Sequence, residues 1–419
     1  MTLNVSTLPN GLRVASLDMP GLETAAVGLY VDTGSRFEPA PAHGVAHMLE
    51  HMVFKGTRRR SARQIAEEIE AVGGILNAYT GRDQTTFYAR ILAEDMPLGV
   101  DLVSDLITEP ALDEQEMNRE REVILQELSQ ARDTPDDIIF DDLQEIAFAD
   151  QPLGRSILGT EETIQSLQPA DVRSWLDEHY RAGSMVLAAA GKVDHDAIVK
   201  LAEERLGRLP AGRRPGAATA RYTGGENRSI KPIEQTHVTL GLRGVSYADD
   251  DYYPELIFAT ALGGGMSSRL FQAVREERGL AYSIYSYASN YAETGLFTIY
   301  LATGPDSAGE AVNLTLETLL RSLDGMSDEE LHRARAQLKA SVFMGLESCS
   351  GLSEQIGRQL LLFDRVIPTN EIIERIDATT ADDVRQAALR MVQAGPLTLA
   401  TVGPSEAVPG LDALQARLS

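Results

Sequence analysis

Two histidines and one glutamate lie within the five-residue segment His47-Met48-Leu49-Glu50-His51. Residues four apart lie on the same face of an α-helix, so both imidazoles can reach one metal ion. Glu50, three residues after His47, is close enough to contact a water molecule on that ion. A helix with two unrelated histidines is the alternative. A third ligand decides between the two, because a catalytic zinc site takes three protein ligands and keeps one position for water.

Residues 118–128 supply two candidates for that third ligand, Glu120 and Glu127. Apolar residues in this stretch and just before it recur at helical spacing, and they are Met117, Val123, Ile124 and Leu128. Residues seven apart are separated by two helical turns, so both carboxylates lie on one stripe of the predicted helix. From the residues alone, one carboxylate could bind the metal while the other supports it.

The HxxEH segment followed by an ExxxxxxE helix resembles the pitrilysin-type zinc peptidases, also called inverzincins. Glu127 follows His51 by 76 residues (127 − 51 = 76). Within this family the sequence looks similar to bacterial homologues of the beta subunit of the mitochondrial processing peptidase. The resemblance implies one Zn²⁺ per chain, bound by His47, His51 and Glu127, with Glu50 as the general base. It also implies that Glu120 supports catalysis by orienting a ligand histidine, with a solvated helix glutamate as the alternative.

The same resemblance assigns four residues to substrate binding. Asn77 and Ala78 match the family's edge strand, which binds a peptide as an added β-strand, and an ordinary hairpin strand is the alternative. Arg275 and Tyr282, spaced seven apart, match a pair that binds substrate carbonyl groups and donates to the developing oxyanion. Without the resemblance, Arg275 would be interpreted as a surface charge and Tyr282 as the start of a strand.

The charge and cysteine content of the chain argue against several classes of function. With 62 acidic and 38 basic residues, the formal net charge is −24. A nucleic-acid partner is not expected, because phosphate binding needs clustered Lys and Arg. The acidic balance would attract cationic peptides, or it serves solubility alone. Cys349 is the one cysteine, so an intrachain disulfide is excluded and no Cys cluster competes for the metal.

Targeting and membrane segments are not indicated by the sequence. The first eight residues lack a basic region and a continuous apolar core, so we predict no secretory signal peptide. No apolar run reaches the roughly 18 residues that a transmembrane helix needs, so we predict no membrane span. We expect a cytoplasmic location in a bacterium.

The first half of the chain alternates β-like runs with amphipathic helices. Strands are predicted at 12–17, 25–32 and 185–190, and a hairpin at 75–80 and 84–91. Helices are predicted at 42–54, 61–72, 96–107, 114–130, 141–149, 170–180 and 196–206.

This pattern recurs later in the chain at a nearly constant shift. Gly28 corresponds to Gly241 (241 − 28 = 213), and Asp171 corresponds to Asp383 (383 − 171 = 212). We therefore predict an α+β fold with two homologous domains, each a mostly antiparallel sheet packed with helices. Residues 211–218 have linker composition and separate the predicted domains, 1–210 with the zinc site and 229–419 with the Arg and Tyr pair.

The duplication also indicates that the metal site is confined to the first domain. Adding 214 to the numbers of His47 and His51 leads to Ala261 and Gly265, which are not metal ligands (47 + 214 = 261; 51 + 214 = 265). The loop 262–268, with the glycine run 263–265, is expected to open the counterpart of the histidine helix and to permit close approach of another backbone. A flexible helix start is the alternative.

The family resemblance implies a zinc endopeptidase that hydrolyses unfolded peptides or presequence-like segments inside a closed chamber. Chambered members of the family use four such domains, so the resemblance implies a homodimer in which Arg275 and Tyr282 act across the interface. One alternative is a catalytically silent assembly subunit, like the core proteins of the respiratory cytochrome complex. Another is a metal-dependent hydrolase with a non-peptide substrate.

Overall fold

The computed structural model describes residues 2–418, so Met1 and Ser419, the outer ends of the two predicted domains, lie outside the described residues. The strands are β1 Thr2–Thr7, β2 Arg13–Asp18, β3 Thr24–Val31, β4 Ile75–Thr80, β5 Thr85–Leu92, β6 Met185–Gly191, β7 Gly225–Ser229, β8 Thr236–Gly244, β9 Ala281–Asn290, β10 Gly295–Thr303 and β11 Thr398–Val402. The helices of the first half are α1 Val45–Val53, α2 Ala62–Ala71, α3 Met96–Thr108, α4 Glu114–Asp133, α5 Pro135–Ala147, α6 Glu161–Ser166, α7 Pro169–His179 and α8 His195–Leu206. Those of the second half are α9 Tyr252–Gly263, α10 Ala308–Ser322, α11 Asp328–Gly345, α12 Cys349–Phe363, α13 Thr369–Ala378, α14 Ala381–Gln393 and α15 Leu411–Leu418, and a π-helical turn spans Phe271–Glu276.

The chain forms two compact units, each built from three separate segments. Unit 1 comprises Met1–Ser129, Ser156–Ala218 and Phe343–Ile367, and unit 2 comprises Gln130–Arg155, Thr219–Val342 and Pro368–Ser419. Helix α5 of the first half therefore belongs to unit 2, and helix α12 of the second half belongs to unit 1. The predicted domains, 1–210 and 229–419, are continuous stretches of sequence. The compact units differ from them because each unit includes a helix from the other half of the chain.

Unit 1 is built on a six-stranded sheet in the order β1-β2-β6-β3-β5-β4. Neighbouring strands are antiparallel except for the parallel pair β2 and β6. The central strands β3 and β6 are almost fully buried, as expected where both faces of a sheet are covered. Strand β4 lies at the edge, so within residues 2–418 one side of its backbone has no partner strand.

The two faces of this sheet bury different side chains. Leu29, Met48, Phe87 and Val100 are fully buried in the large core that joins one face to α1 and α3. Tyr30 points to the other face, because successive strand residues alternate, and it packs in a smaller cluster with α12.

Helix α12 is fitted to the sheet around Tyr30. A Cβ atom added to Gly28 or to Gly357 would overlap the Tyr30 ring, so both positions need glycine for close packing. The Tyr30 hydroxyl lies 3.0 Å from Ser353 Oγ, which donates to the Ala188 carbonyl at 2.9 Å. These contacts explain why a helix from the second half belongs to unit 1.

Unit 2 repeats this design. Its five-stranded sheet has the order β7-β11-β8-β10-β9, with β7 and β11 parallel and the other pairs antiparallel. Strand for strand, this is the order β2-β6-β3-β5-β4 of unit 1. The α+β fold prediction is confirmed.

Several local predictions hold, two are wrong, and one strand was missed. The predicted hairpin is confirmed, since β4 and β5 pair antiparallel. Helix α5 begins at Pro135, six residues earlier than predicted, and proline in the first turn is a usual helix start. Strand β1 was missed because its residues are mostly exposed and polar. The glycine run 263–265 ends α9 instead of opening it.

Within residues 2–418, none of the helices combines the length and the apolar character required to cross a membrane.

Candidate metal centre

Helix α1, which carries both histidines, is held firmly at its N-terminus. Gly44, just before the helix, has a φ of 93°, a left-handed conformation that favours glycine. The buried Glu38 carboxylate accepts hydrogen bonds from the backbone N–H groups of Gly44 and Ala46, each at 2.8 Å. It satisfies two free N–H groups and places a negative charge at the positive end of the helix dipole. The histidines are therefore presented by a rigid element.

His47, His51 and Glu127 converge in unit 1. Glu127 Oε2 lies 3.7 Å from His47 Nε2 and 3.5 Å from His51 Nε2. One ligand atom from each residue lies within 4.8 Å of the others, and no second group of this kind occurs among the described residues. Ligand atoms around a tetrahedral zinc ion are separated by about 3.4 Å, so the observed spacing fits Zn²⁺.

The surroundings of the two imidazoles differ, and each suits a metal ligand. Burial, and secondly the neighbouring His51, lower the pKa of His47 to about 4, so this ring is neutral at pH 7. His51 Nδ1 lies 3.0 Å from Glu120 Oε2, and a proton on Nδ1 leaves the Nε2 lone pair directed at Glu127. A carboxylate on the second ring nitrogen is the usual support of a zinc-binding histidine. The residues present therefore fit a zinc ion.

Glu120 is buried and bonded on both of its oxygens. Its side chain is 7% exposed, and its Oε1 lies 2.6 Å from Lys55 Nζ while its Oε2 faces His51. This is not the environment of a solvated helix glutamate, which was the alternative. The contact with His51 is the one that an orienting carboxylate makes, and the supporting role in catalysis stays a prediction.

Glu50 lies on α1 beside His51 and is half-buried. Burial raises the pKa of its carboxyl group, whereas hydrogen bonds from Thr80 and the nearby His51 act to lower it. Thr80 Oγ1 donates to Glu50 Oε2 at 2.6 Å. The carboxylate is thus fixed next to a predicted metal ligand, where a general base would be needed. Its catalytic role stays a prediction.

Asn77 and Ala78 lie in the middle of edge strand β4. Asn77 is exposed, and its Oδ1 accepts a hydrogen bond from the Ala78 N–H at 2.9 Å. Ala78 is 7% exposed and its methyl group packs in the core. Contact with a substrate at Ala78 would therefore involve the backbone.

Arg275 and Tyr282 contact each other within unit 2. Arg275 lies in the π-helical turn Phe271–Glu276, a rare structure that is frequent at functional sites. Its guanidinium carbon lies 4.7 Å from the centre of the Phe271 ring and 4.8 Å from that of Tyr282. These distances allow cation–π attraction on both sides. Tyr282 itself is 75% exposed, so its hydroxyl is available to a ligand.

Three residues at these sites were missed by the sequence analysis. Lys55 lies beyond the predicted helix and two residues after α1 ends, so helical spacing could not identify it. Thr80 shares its strand face with Ala78, so alternation placed it toward α1 but did not identify Glu50 as its partner. Phe271 lies four residues before Arg275, and this spacing was the available signal.

Comparison with known proteins identifies the family. Residues 13–161 match the family described as insulinase (peptidase family M16), and residues 166–338 match the peptidase M16 inactive domain. An uncharacterized zinc protease of Rickettsia felis is 40% identical over 405 residues, which are 96% of this chain and 98% of that protein. The chain belongs to peptidase family M16. The pitrilysin-type resemblance is confirmed.

A second relative and a solved structure are also similar to this chain. The beta subunit of the mitochondrial-processing peptidase of Saccharomyces cerevisiae is 35% identical over 435 residues, which cover 99% of this chain and 94% of that protein. The crystal structure of a peptidase M16 inactive domain from Pseudomonas fluorescens has the same fold, with a TM-score of 0.90 at 20% identity over 98% of this chain and 100% of that one. The His and Glu group lies in the segment that matches the M16 peptidase, whereas Arg275 and Tyr282 lie in the segment that matches the inactive domain.

Proposed function

We propose that the protein is a zinc-dependent endopeptidase with one zinc ion per chain. The observation that carries the proposal is the convergence of His47, His51 and Glu127 beside the Glu50 carboxylate. M16 relatives named as zinc proteases and as a processing-peptidase subunit support peptide hydrolysis as the reaction.

The side chains of this site have distinct tasks in the proposed reaction. Zinc, when bound, polarises the substrate carbonyl and makes water a better nucleophile. Glu50 takes the proton of the attacking water and returns it to the leaving amine. Glu120 fixes the ring of His51 so that Nε2 faces the metal. Arg275 binds substrate carbonyl groups and Tyr282 donates to the developing oxyanion.

The proposed substrate is an extended peptide added to the free edge of β4. An edge strand offers unpaired backbone groups, so it binds chains of varied sequence through main-chain hydrogen bonds around Asn77 and Ala78. Only an unfolded segment can bind in this way, and presequence-like peptides are of this kind. The net charge of −24 favours cationic peptides.

The proposal also covers how the chains assemble and where in the cell the protein is located. A homodimer would provide the four domains of a closed chamber, with Arg275 and Tyr282 supplied by the subunit opposite the zinc. The sequence halves 1–210 and 229–419 are proposed as the duplicated domains. A cytoplasmic location in a bacterium is part of the same proposal.

Metal removal tests the function directly. We expect about one zinc ion per chain, cleavage of a quenched fluorescent peptide, loss of cleavage with a chelator and recovery when zinc is restored. The same peptide embedded in a stably folded protein should resist cleavage until that protein is unfolded. Zinc binding without any peptide cleavage would instead support the silent assembly subunit.

Two substitutions separate the chemistry from metal binding. Glu50→Gln should retain zinc and lose hydrolysis by roughly 100-fold or more, because an amide cannot accept the proton. His51→Ala should lose the metal. Glu116→Gln is a control, since Glu116 lies on α4 and pairs with the exposed Arg119. Near wild-type cleavage by Glu50→Gln would remove Glu50 from the proposed mechanism.

A further inference from the structure

Thr80, the last residue of β4, is joined to Glu50 on α1. Thr80 Oγ1 donates to Glu50 Oε2 at 2.6 Å, a length typical of a hydroxyl bound to an ionised carboxylate. A backbone hydrogen bond from Thr80 also contributes to the environment of this carboxylate. One residue of the edge strand therefore holds one oxygen of Glu50.

Strand geometry makes this contact specific to Thr80. Side chains alternate along β4, so Ala78 and Thr80 face α1 while Asn77 and Tyr79 face away. The cross-strand neighbour of Thr80 is Thr85, whose hydroxyl donates to the Thr33 carbonyl at 2.8 Å. Thr80 and Thr85 are therefore neighbours in the sheet, but their hydroxyl groups donate to different acceptors.

We propose that Thr80 is a positioning residue for the general base. Its hydroxyl fixes Oε2 of Glu50, which leaves Oε1 as the oxygen that receives the proton from the attacking water. Fixing a carboxylate restricts its rotation, and a base held in the reactive orientation lowers the barrier of the proton transfer. This inference rests on the proposed function and adds a residue to it.

The position of Thr80 has a second consequence. The strand whose free edge is proposed to align the substrate ends at the residue that aligns the base. A shift of β4 along its length would therefore move the substrate backbone and the carboxylate together. Peptide register and base orientation are coupled through one short strand.

The first test compares variants at Thr80 under steady-state conditions. Thr80→Val has the same shape without the hydroxyl and should lower kcat by about 10- to 100-fold with less than about a threefold change in KM. Thr80→Ser restores the donor and should recover most of kcat. Thr80→Ala, compared with Thr80→Ser, isolates the hydroxyl if the valine variant does not fold. Thr85→Val is the matched control and should leave kcat unchanged.

The second test needs no turnover. In metal-free protein, the melting temperatures of Glu50→Ala, Thr80→Val and the double variant should be non-additive, because each substitution removes the one hydrogen bond that the two side chains share. Zinc content should be equal in wild type and in the Thr80 variants, since Thr80 is not among the predicted ligands.

The outcomes distinguish this inference from the proposed function. Loss of activity in Glu50→Gln with full activity in Thr80→Val overturns the positioning role and leaves the function intact. A change confined to KM also overturns it and assigns Thr80 to substrate binding. Additive melting shifts overturn it too, because they show that Thr80 and Glu50 are not coupled. Full activity in Glu50→Gln overturns the proposed mechanism itself.

Discussion

His51 Nδ1 lies 3.0 Å from Oε2 of Glu120, a residue 69 positions later in the chain. This contact joins the histidine helix α1 to the long helix α4, which also carries Glu127. Because Glu120 is buried and its other oxygen is bound by Lys55 at 2.6 Å, the ring of His51 cannot rotate freely. The orientation of one predicted ligand thus depends on a residue that does not reach the metal group.

Glu120→Ala should weaken zinc binding without removing a ligand. The substitution frees the His51 ring and leaves the Lys55 ammonium without its carboxylate, and loss of such support typically costs about 10- to 100-fold in metal affinity. Competition with a chromophoric zinc chelator measures the change. Glu122→Ala, an exposed residue of α4, is the control. An unchanged affinity in Glu120→Ala would show that Glu120 does not orient His51.

Mixing two inactive variants should restore activity if the active site is shared between subunits. In a dimer of one Glu50→Gln chain and one Arg275→Ala chain, a trans arrangement leaves one complete site. That site combines the metal domain of the second chain with Arg275 and Tyr282 of the first. In a cis arrangement every site lacks one component. Recovery well above either variant alone supports the trans dimer, and no recovery despite verified subunit exchange rejects it.

Gly357→Ala should destabilise unit 1. The new methyl group would overlap the Tyr30 ring, and overpacking a core of this kind costs about 1–3 kcal/mol, more than the gain from replacing glycine in a helix. Thermal or denaturant unfolding measures the effect. Gly345→Ala is the matched control, because a Cβ there meets no atom within 4 Å and should be neutral or slightly stabilising. Equal stability of both variants would show that α12 does not pack closely on Tyr30.

Glu255 should make the stability of unit 2 decrease as the pH rises. Burial raises the pKa of this carboxyl group from 4.5 to about 7, against hydrogen bonds from Asn290 and the Val245 N–H that lower it. The folded state therefore binds the proton more tightly than the unfolded state. The resulting stabilisation is complete below about pH 4.5 and is lost by about pH 7, with a total of about 3 kcal/mol.

Denaturant unfolding at about pH 4.5 and about pH 8 checks this sign. Glu255→Gln has no proton to lose, so the difference between the two pH values should be smaller in the variant than in the wild type. Other titrating groups contribute equally to the pH dependence of both proteins, so the difference between the proteins reports Glu255 alone. Equal pH dependence in both proteins would mean that Glu255 does not titrate in this range.

The proposed metal ligands could be predicted from the sequence because the pattern that identifies them is the local spacing of residues along a helix. His47 and His51 are one turn apart, and Glu120 and Glu127 are two turns apart, so helical geometry alone places each pair on one face. The contacts that hold these residues could not be predicted in the same way. Thr80 meets Glu50, and Lys55 meets Glu120, only after distant elements have packed, and no periodicity encodes such a meeting.

The fold shows the same division between local and tertiary information. The repeated pattern of strands and helices predicted two similar halves, and the two sheets do share one strand order. The pattern did not predict that α12 packs on the first sheet, because its apolar stripe is compatible with any partner surface. The partner is selected by shape, through Tyr30 and the two glycines around it.

Because the two sequence halves must fit each other at Tyr30 and Gly357, a change in one half restricts the changes that the other half can tolerate. A recombination event that replaced the gene segment for residues 1–210 alone would pair a foreign sheet with the resident α12. The hybrid would fold well only if the incoming segment offered an aromatic ring at the position of Tyr30 and a matching recess for it. Gene conversion between the two similar halves faces the same restriction. We therefore expect the two halves to be inherited together and to diverge in step along the Tyr30 and Gly357 contact.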